Sequence, residues 1–526
     1  MLVGRLRERC STLSTEERVF VAVFGILSLV ALVPIWSVRF LPLLDEPNHV
    51  AAVYIWHHIA DPKARLAEFY EVNVDLVPYF LHYALAHLLA YVVGVEAGHK
   101  LVVSLYVLLL PVAALVWCRR TKRSPWLSVL TFPLVWTYAW AHGFHAFNLG
   151  LVASLLALAA VDSVLEDPSR RTLVAVAAIL GFACYLGHPL AFFIFGLGSL
   201  LLLGVRRPTL RRLVLVALLL APGTALAVYQ LVRPKEHQWI HDPVGPRFAG
   251  VHLPVMEMVR RWPRYALDSV AGDYDVWVLA VLVGAFLLLL GAGIVRRMRR
   301  GLASGHLSDV CVRERPLLDH RGMLLCAGFI ACYFLVPLHL TRPFDWWFVS
   351  GRFAPLICFF AFLLPATPLS GWRALLIVPA VCAALFLPLH IAKRYAEFND
   401  RARPFVELMK KTRPATQVLF VGLKPYGDPA VNVNAYNQWP SWVQVLHGGY
   451  SPSGWEPHIP FPYRIKKKLP APPWNNQEAF SPQRHAGPYD YVLVRNEKRP
   501  LFPPGNNEWR LVERQGAFAL YERLRR

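Results

Sequence analysis

Apolar runs of bilayer length recur along the first three quarters of this 526-residue chain, and that recurrence limits its possible folds more than any motif does. A hydrocarbon core about 30 Å thick takes about 20 helical residues to cross. Runs of that order stand at Val19–Val38, Leu101–Trp117, Phe147–Leu165, Leu213–Val232, Val276–Val295, Met323–Leu340 and Ala374–Ile391. One of them could be a buried core helix; this many could not. Composition agrees, with 56% hydrophobic and 17% charged residues against about 45–50% and about 25% in soluble domains. The expected fold is a polytopic α-helical membrane body over 1–393, followed by a C-terminal α/β soluble domain over 394–526.

The net charge of +21 belongs to the loops of that body. Arg119, Arg120, Lys122 and Arg123 form one cluster, Arg170 and Arg171 a second. Arg206, Arg207, Arg211 and Arg212 form a third, and Arg296, Arg297, Arg299 and Arg300 a fourth. Lys and Arg accumulate in cytoplasmic loops, which explains the charge without a nucleic-acid partner. From the second cluster onward the clusters are separated by pairs of spans: 125–141 with 144–165, 172–187 with 190–205, and 210–231 with 275–295. A basic leader of Arg5, Arg7 and Arg9 before the first run resembles a retained signal anchor. Sidedness stays consistent if one early segment, 78–94 with His82 and His87, does not cross fully. That gives eleven crossings, or twelve if it does. The first outer loop (40–77), the long loop 233–274 and the C-terminal domain then face outward from a cell inner (cytoplasmic) membrane, the domain being periplasmic or extracytoplasmic. None of the eight cysteines lies beyond Cys382, so no disulfide framework is expected in that domain.

Two regions have recognisable local patterns. In the first outer loop Val50, Val53, Tyr54, Trp56 and His57 are spaced as on a helix lying at the interface, with Pro47 in its first turn. In the C-terminal domain 417–421 and 489–494 read as strands, and 509–512 with 517–521 as a closing hairpin. An ordered but irregular Pro-, Trp- and Asn-rich surface is expected between them, over 424–488.

The most informative short motif is Asp45-Glu46-Pro47-Asn48-His49, just past the first span. Adjacent carboxylates at a hydrophobic boundary are costly to desolvate, and mutual repulsion raises one pKa toward neutrality, as a general base requires. The alternative is a helix N-cap, with Asp45 or Asn48 capping and the acids favoured by the helix dipole. The residues alone leave both open. The motif, the spans that follow and the outward C-terminal domain together resemble the GT-C superfamily of membrane glycosyltransferases. The likeness is greatest to the branch of protein O-mannosyltransferases and aminoarabinose transferases. It implies that Asp45 and Glu46 act as base or acceptor-orienting groups, with His49 beside them. It also implies a sugar donor carried on a polyprenyl phosphate or diphosphate.

A leaving phosphate needs a cation on the same side. Arg352, opening a span, and Arg342 are the candidates, with Lys235 and Arg247 next; lipid-facing snorkelling is the alternative for each. His145 and His188, on outer turns with His142 and Asn148, are expected to line a polar pocket with His49. No H-E-x-x-H pair or comparable spacing is present, so no residue is assigned to a metal, although the histidines leave a divalent cation open. Trp439, Trp442 and Trp455 are expected to serve domain packing, Trp346 and Trp347 an aromatic belt, and Asp273 and Asp345 to be solvated. The function expected from the resemblance is transfer of a sugar from a polyprenyl-phosphate donor to a lipid, glycan or protein acceptor at the outer face. Membrane lipids are the remaining partners. A transporter or flippase would carry ionisable residues at span midpoints, and a non-catalytic scaffold would use the acids only as caps.

Overall fold

The computed structural model describes residues 14–206, 208–232, 249–304, 316–342, 346–367, 369, 371–452, 461–473, 476–503 and 505–524, and the side chain of Arg342 lies outside what is described. It shows a mostly helical membrane body and a small C-terminal sheet domain. The leader arginines, Lys235, Arg247, Asp345 and Trp455 also lie outside the described residues.

Helix α1 (Thr15–Trp36) opens on a capping box, in which Ser14 Oγ accepts from Glu17 N–H and the Glu17 carboxylate accepts from Ser14 N–H. A short helix α2 (Glu46–His58) follows, then α3 (Phe80–Val93) and α4 (Val95–Thr121), joined through Gly94 alone. Helices α5 (His145–Glu166), α6 (Arg171–Gly187), α7 (Pro189–Val205), α8 (Leu210–Val232), α9 (Val255–Ala266) and α10 (Tyr274–Ser304) continue the body. It ends with α11 (His320–Leu335), α12 (Ala354–Phe362) and α13 (Val378–Met409). Among the described residues six helices are long and apolar enough to cross a bilayer, and five apolar ones, α3 among them, are shorter. The protein is therefore a multi-pass membrane protein.

One expected span takes a different form. Between Pro125 and Ala141 the chain is broken into 3-10 turns (Pro125–Thr131 and Pro133–Val135) and a single α-turn (Tyr138–Ala141). Pro125 and Pro133 withhold the N–H groups an α-helix needs. This irregular path returns from the Arg123 end of α4 to His142 near the start of α5, and nearly all of it is buried. Non-helical backbone is tolerated at membrane depth when other protein surrounds it.

The bundle has two chemically distinct ends. Helix α5 runs from His145 at one end to Asp162 and Glu166 at the other, with about 25 Å between His145 and Asp162 at 1.5 Å per residue. Arg120, Lys122, Arg123, Arg206 and Arg321 line a cavity of about 380 Å³ at the Asp162 end. At the same end Arg123 Nη1 donates to the Pro316 carbonyl, and Gly293 of α10 packs on the neighbouring Leu317.

The C-terminal domain covers the opposite end. Its mixed sheet has the order β4 (Val418–Gly422), β6 (Tyr491–Arg495), β8 (Phe518–Arg523), β7 (Trp509–Gln515), with β4 and β6 parallel and the other pairs antiparallel. Residue 393 falls inside α13, whose last turns carry Phe398 and Phe405 onto Trp439, Phe420 and Phe518. The two regions are thus joined by a continuous helix. Strand β1 (Tyr70–Val72) of the first loop pairs with β5 (Tyr463–Ile465) of the domain, adding a second tie. Helix α2 differs from its expected setting: most of it is buried between bundle and domain, and Asn48 Oδ1 accepts from Ser441 Oγ.

Candidate active site

The acidic motif is held by backbone contacts before any side chain acts. Leu44 N–H and Asp45 N–H donate to the Ala141 and His142 carbonyls at 3.1 and 3.2 Å, stitching the entry of α2 to the end of the 3-10 path. The approach is close enough to need a glycine. A β-carbon on Gly143, whose φ is +74°, would lie 3.1 Å from Glu46 N and 3.2 Å from Asp45 N. Asp45 stands at the N-cap position of α2, yet its side chain makes no capping bond, and Pro47 fills the first turn.

The two neighbouring carboxylates diverge. Glu46, 2% exposed, enters a nest of imidazoles: His145 Nε2–H donates to Oε2 at 2.5 Å, and His99 Nε2 lies 3.0 Å from Oε1. Burial opposes this charge, but His99 and His145 outweigh burial and hold the Glu46 carboxyl below its ordinary range. His82 stacks on His145 with ring centroids 5.5 Å apart, and His49 Nδ1 bonds the Tyr83 hydroxyl at 2.8 Å.

Asp45, 1% exposed, faces the other way. Its Oδ1 has no hydrogen-bond partner among the described residues. Burial pushes its carboxyl well above the usual range, with the charge of Arg352 acting against the shift. The elevation expected from two adjacent acids is present, but its cause is desolvation rather than repulsion between neighbours.

Arg352 is a buried guanidinium with few acceptors. Nη2 donates to the Trp347 carbonyl at 3.0 Å, Nε has no partner among the described residues, and Cζ lies over the Phe144 and Phe147 rings, 4.1 and 5.0 Å from their centroids. His188 Nδ1 accepts from Leu190 N–H at 3.0 Å, so the ring proton sits on Nε2, where it can be donated to the Tyr79 hydroxyl 3.1 Å away. Nη1 of Arg352 is 3.1 Å from that same Nε2 and gains no acceptor there. Among the described residues no carboxylate lies within ion-pair distance of Arg352. A desolvated cation built this way favours an anion.

The sequence candidates therefore separate. Asp45, His188 and Arg352 share one corner, while Glu46, His49 and His145 share the next. His142 stays close by, its ring tilted against Tyr138 with centroids 4.0 Å apart. Only the backbone of Arg342 is described, in β3 (His339–Arg342). Trp439 and Trp442 pack on Phe40 of the chain itself, and Asp273 is 68% exposed, in a 2.7 Å pair with Arg264. Tyr79, Tyr83 and His99 belong to no motif in the sequence, and His82 stands out there only as a histidine in a segment not expected to cross fully. Their one signal was polarity at the starts of two apolar helices.

Fold and site together define a polytopic membrane protein with a buried acid and a buried cation under an extra-membrane domain. No protein-family profile matches the chain. No curated protein matches it. The solved structure of the arabinofuranosyltransferase AftD from Mycobacteria aligns with 95% of this chain and 39% of that one, at 13% identity and a TM-score of 0.45. The chain thus spans well under half of that protein's length. So distant a likeness defines neither a substrate nor a site.

Proposed function

We propose that the protein is a glycosyltransferase of the cytoplasmic membrane that uses a polyprenyl-phosphate-linked sugar at the outer face. The observation that carries the reading is the corner shared by Asp45 and Arg352: among the described residues, a carboxylate oxygen without a hydrogen-bond partner and a guanidinium without an ion-paired carboxylate, both buried. Glycosyl transfer asks for these two groups in separate roles. The acceptor hydroxyl oxygen bonds to the anomeric carbon while the bond from that carbon to the phosphate oxygen breaks. Asp45 takes the hydroxyl proton, and Arg352 holds the departing phosphate, which keeps the electron pair. The Trp347 carbonyl and the Phe144 and Phe147 rings hold the guanidinium, while His188 and Tyr79 beside it offer polar contacts to donor or acceptor.

The acceptor class is a lipid, a glycan or a protein segment entering under the C-terminal domain, which stands outside in this reading. Two alternatives lose support. A scaffold would use Asp45 as a cap, and it makes no capping bond. A transporter would place its buried charges at mid-span, whereas Asp162 lies at the end of the bundle among arginines.

The test is transfer in proteoliposomes supplied with polyprenyl-phosphate pentoses and hexoses. Asp45→Asn abolishes product while size-exclusion profile and helical content stay those of the parent. Full activity in that variant removes the assignment.

A further inference from the structure

We infer that Glu46, His99 and His145 form a binding site for one divalent transition-metal ion of the zinc class. The inference stands on ligand geometry and does not rest on the transferase reading. Three elements distant in sequence bring one carboxylate and two imidazoles together. Their ligand atoms all lie within 4.8 Å of one another, and all three residues are buried. Two nitrogens and an oxygen donor, with no thiolate, suit Zn²⁺ and its neighbours better than Mg²⁺ or Ca²⁺, which prefer oxygen shells.

Hydrogen bonding within the cluster is incomplete. His99 is 0% exposed; among the described residues its Nδ1 has no hydrogen-bond partner, and its Nε2 meets only Glu46 Oε1, at 3.0 Å. His82, 1% exposed and 5.1 Å from His99 between ring centroids, leaves Nε2 unpartnered as well. A buried polar atom left unpaired costs about 1–3 kcal/mol, so several in one place call for a physical cause. An ion supplies it: at metal–ligand distances of about 2.0–2.1 Å, tetrahedral ligand atoms stand about 3.3 Å apart. The present 2.5 and 3.0 Å contacts need to open only slightly. His82 is the candidate fourth ligand, and His49, tied to Tyr83, closes the nest from the α2 side.

The site would lock Glu46 and with it the first turn of α2, fixing Asp45 one residue away. Its residues come from the starts of α2, α4 and α5, so an ion there would also clamp three elements at one end of the bundle.

The experiment uses the full chain, purified in detergent without a polyhistidine tag, and reads metal by elemental analysis. Stripped protein is then titrated with Zn²⁺ alone and, separately, with Co²⁺, whose visible absorption reports tetrahedral coordination. The expected result is about one ion per chain, falling below about a tenth of an ion in His99→Ala and His145→Ala. The surface cluster of His57 and His87, with ring centroids 5.2 Å apart, is the control, and its double alanine variant keeps the full complement. Should His99→Ala fail to fold by size-exclusion, His99→Gln, which keeps a polar side chain of similar size, takes its place. Stripped protein that takes up neither ion at equimolar concentration overturns the inference. Uptake that survives loss of His99 and vanishes with His57 and His87 overturns it too.

Discussion

Two buried aspartates mark the two ends of the bundle, and their surroundings differ in kind. Asp162, 0% exposed, meets Arg120, Arg206 and Arg321 at 2.6, 3.2 and 2.9 Å, so its charge is matched on every side. Asp45, 1% exposed, keeps an oxygen without a partner, and the nearby Arg352 is engaged by a carbonyl and two aromatic rings. A buried charge satisfied by its own fold is structural. One left unsatisfied beside an opposite charge that is also unsatisfied is arranged for something that arrives later. Asp162 thus holds α4, the residue after α7 and α11 together, and Asp45 is left for the proposed chemistry.

The sharpest way to break this contrast is to neutralise both acids separately. In Asp45→Asn transfer falls by about 10²–10⁴-fold, the range for losing a general base, while thermal unfolding in detergent is unchanged or shifts upward, because a desolvated carboxylate is gone. In Asp162→Asn the sign of the stability effect reverses: three half-buried guanidiniums lose their shared anion, Glu166 and Asp319 compensate only in part, and stability falls by up to about 3–5 kcal/mol. Unfolding midpoint and transfer rate measured on both variants decide the matter. If Asp45→Asn is the destabilised one, the roles are exchanged.

Arg352 gives the next largest effect. Arg352→Met removes the proposed phosphate contact and lowers transfer by about 10²–10³-fold. Stability is retained, since no protein carboxylate is left behind. Arg352→Lys recovers only part of the rate, because an ammonium is not a planar, delocalised cation over Phe144 and Phe147 and does not fork onto a phosphate. A steady-state comparison of the two variants with the parent separates charge from shape. Full recovery by lysine would reduce Arg352 to a point charge.

The same contrast explains what the sequence disclosed. Apolar runs and basic clusters are continuous in the chain, so the membrane body and the gathering of arginines at one end were legible. The strands at 418–422 and 491–495, buried throughout and nearly all apolar, and the closing hairpin were legible too, as short apolar runs bounded by turns. The broken path at 125–141 was not, because an apolar stretch is equally apolar as a helix or as 3-10 turns, and only Pro125 and Pro133 hinted at the difference. At the site, the divergence of Asp45 from Glu46 depends on His99 and Arg352, more than fifty and three hundred residues away. Adjacency in sequence suggested repulsion between the acids; the fold instead gave each its own environment. His82 marked only a segment not expected to cross fully, and His99 belonged to no motif, until α3 and α4 placed them in the nest around Glu46.

The smallest effect tests how the acidic corner is positioned. Gly143 adopts a left-handed backbone, and a β-carbon there would press on Asp45 N at 3.2 Å, on Glu46 N at 3.1 Å and on Asp45 Cβ at 3.3 Å. Gly143→Ala therefore costs about 1–2 kcal/mol from the positive φ and moves the entry of α2 by a few tenths of an ångström. Nothing charged is removed, so binding of donor should persist while turnover falls, since a base displaced from its line of attack loses rate before it loses substrate. At the far end of the bundle the Asp162 pairs stay intact, and the unfolding midpoint drops only slightly. A KM increase with unchanged kcat in Gly143→Ala would place this glycine in substrate binding and detach it from the aim of Asp45. A kcat decrease with unchanged KM ties the two carbonyls that hold Leu44 and Asp45 to the geometry of proton removal.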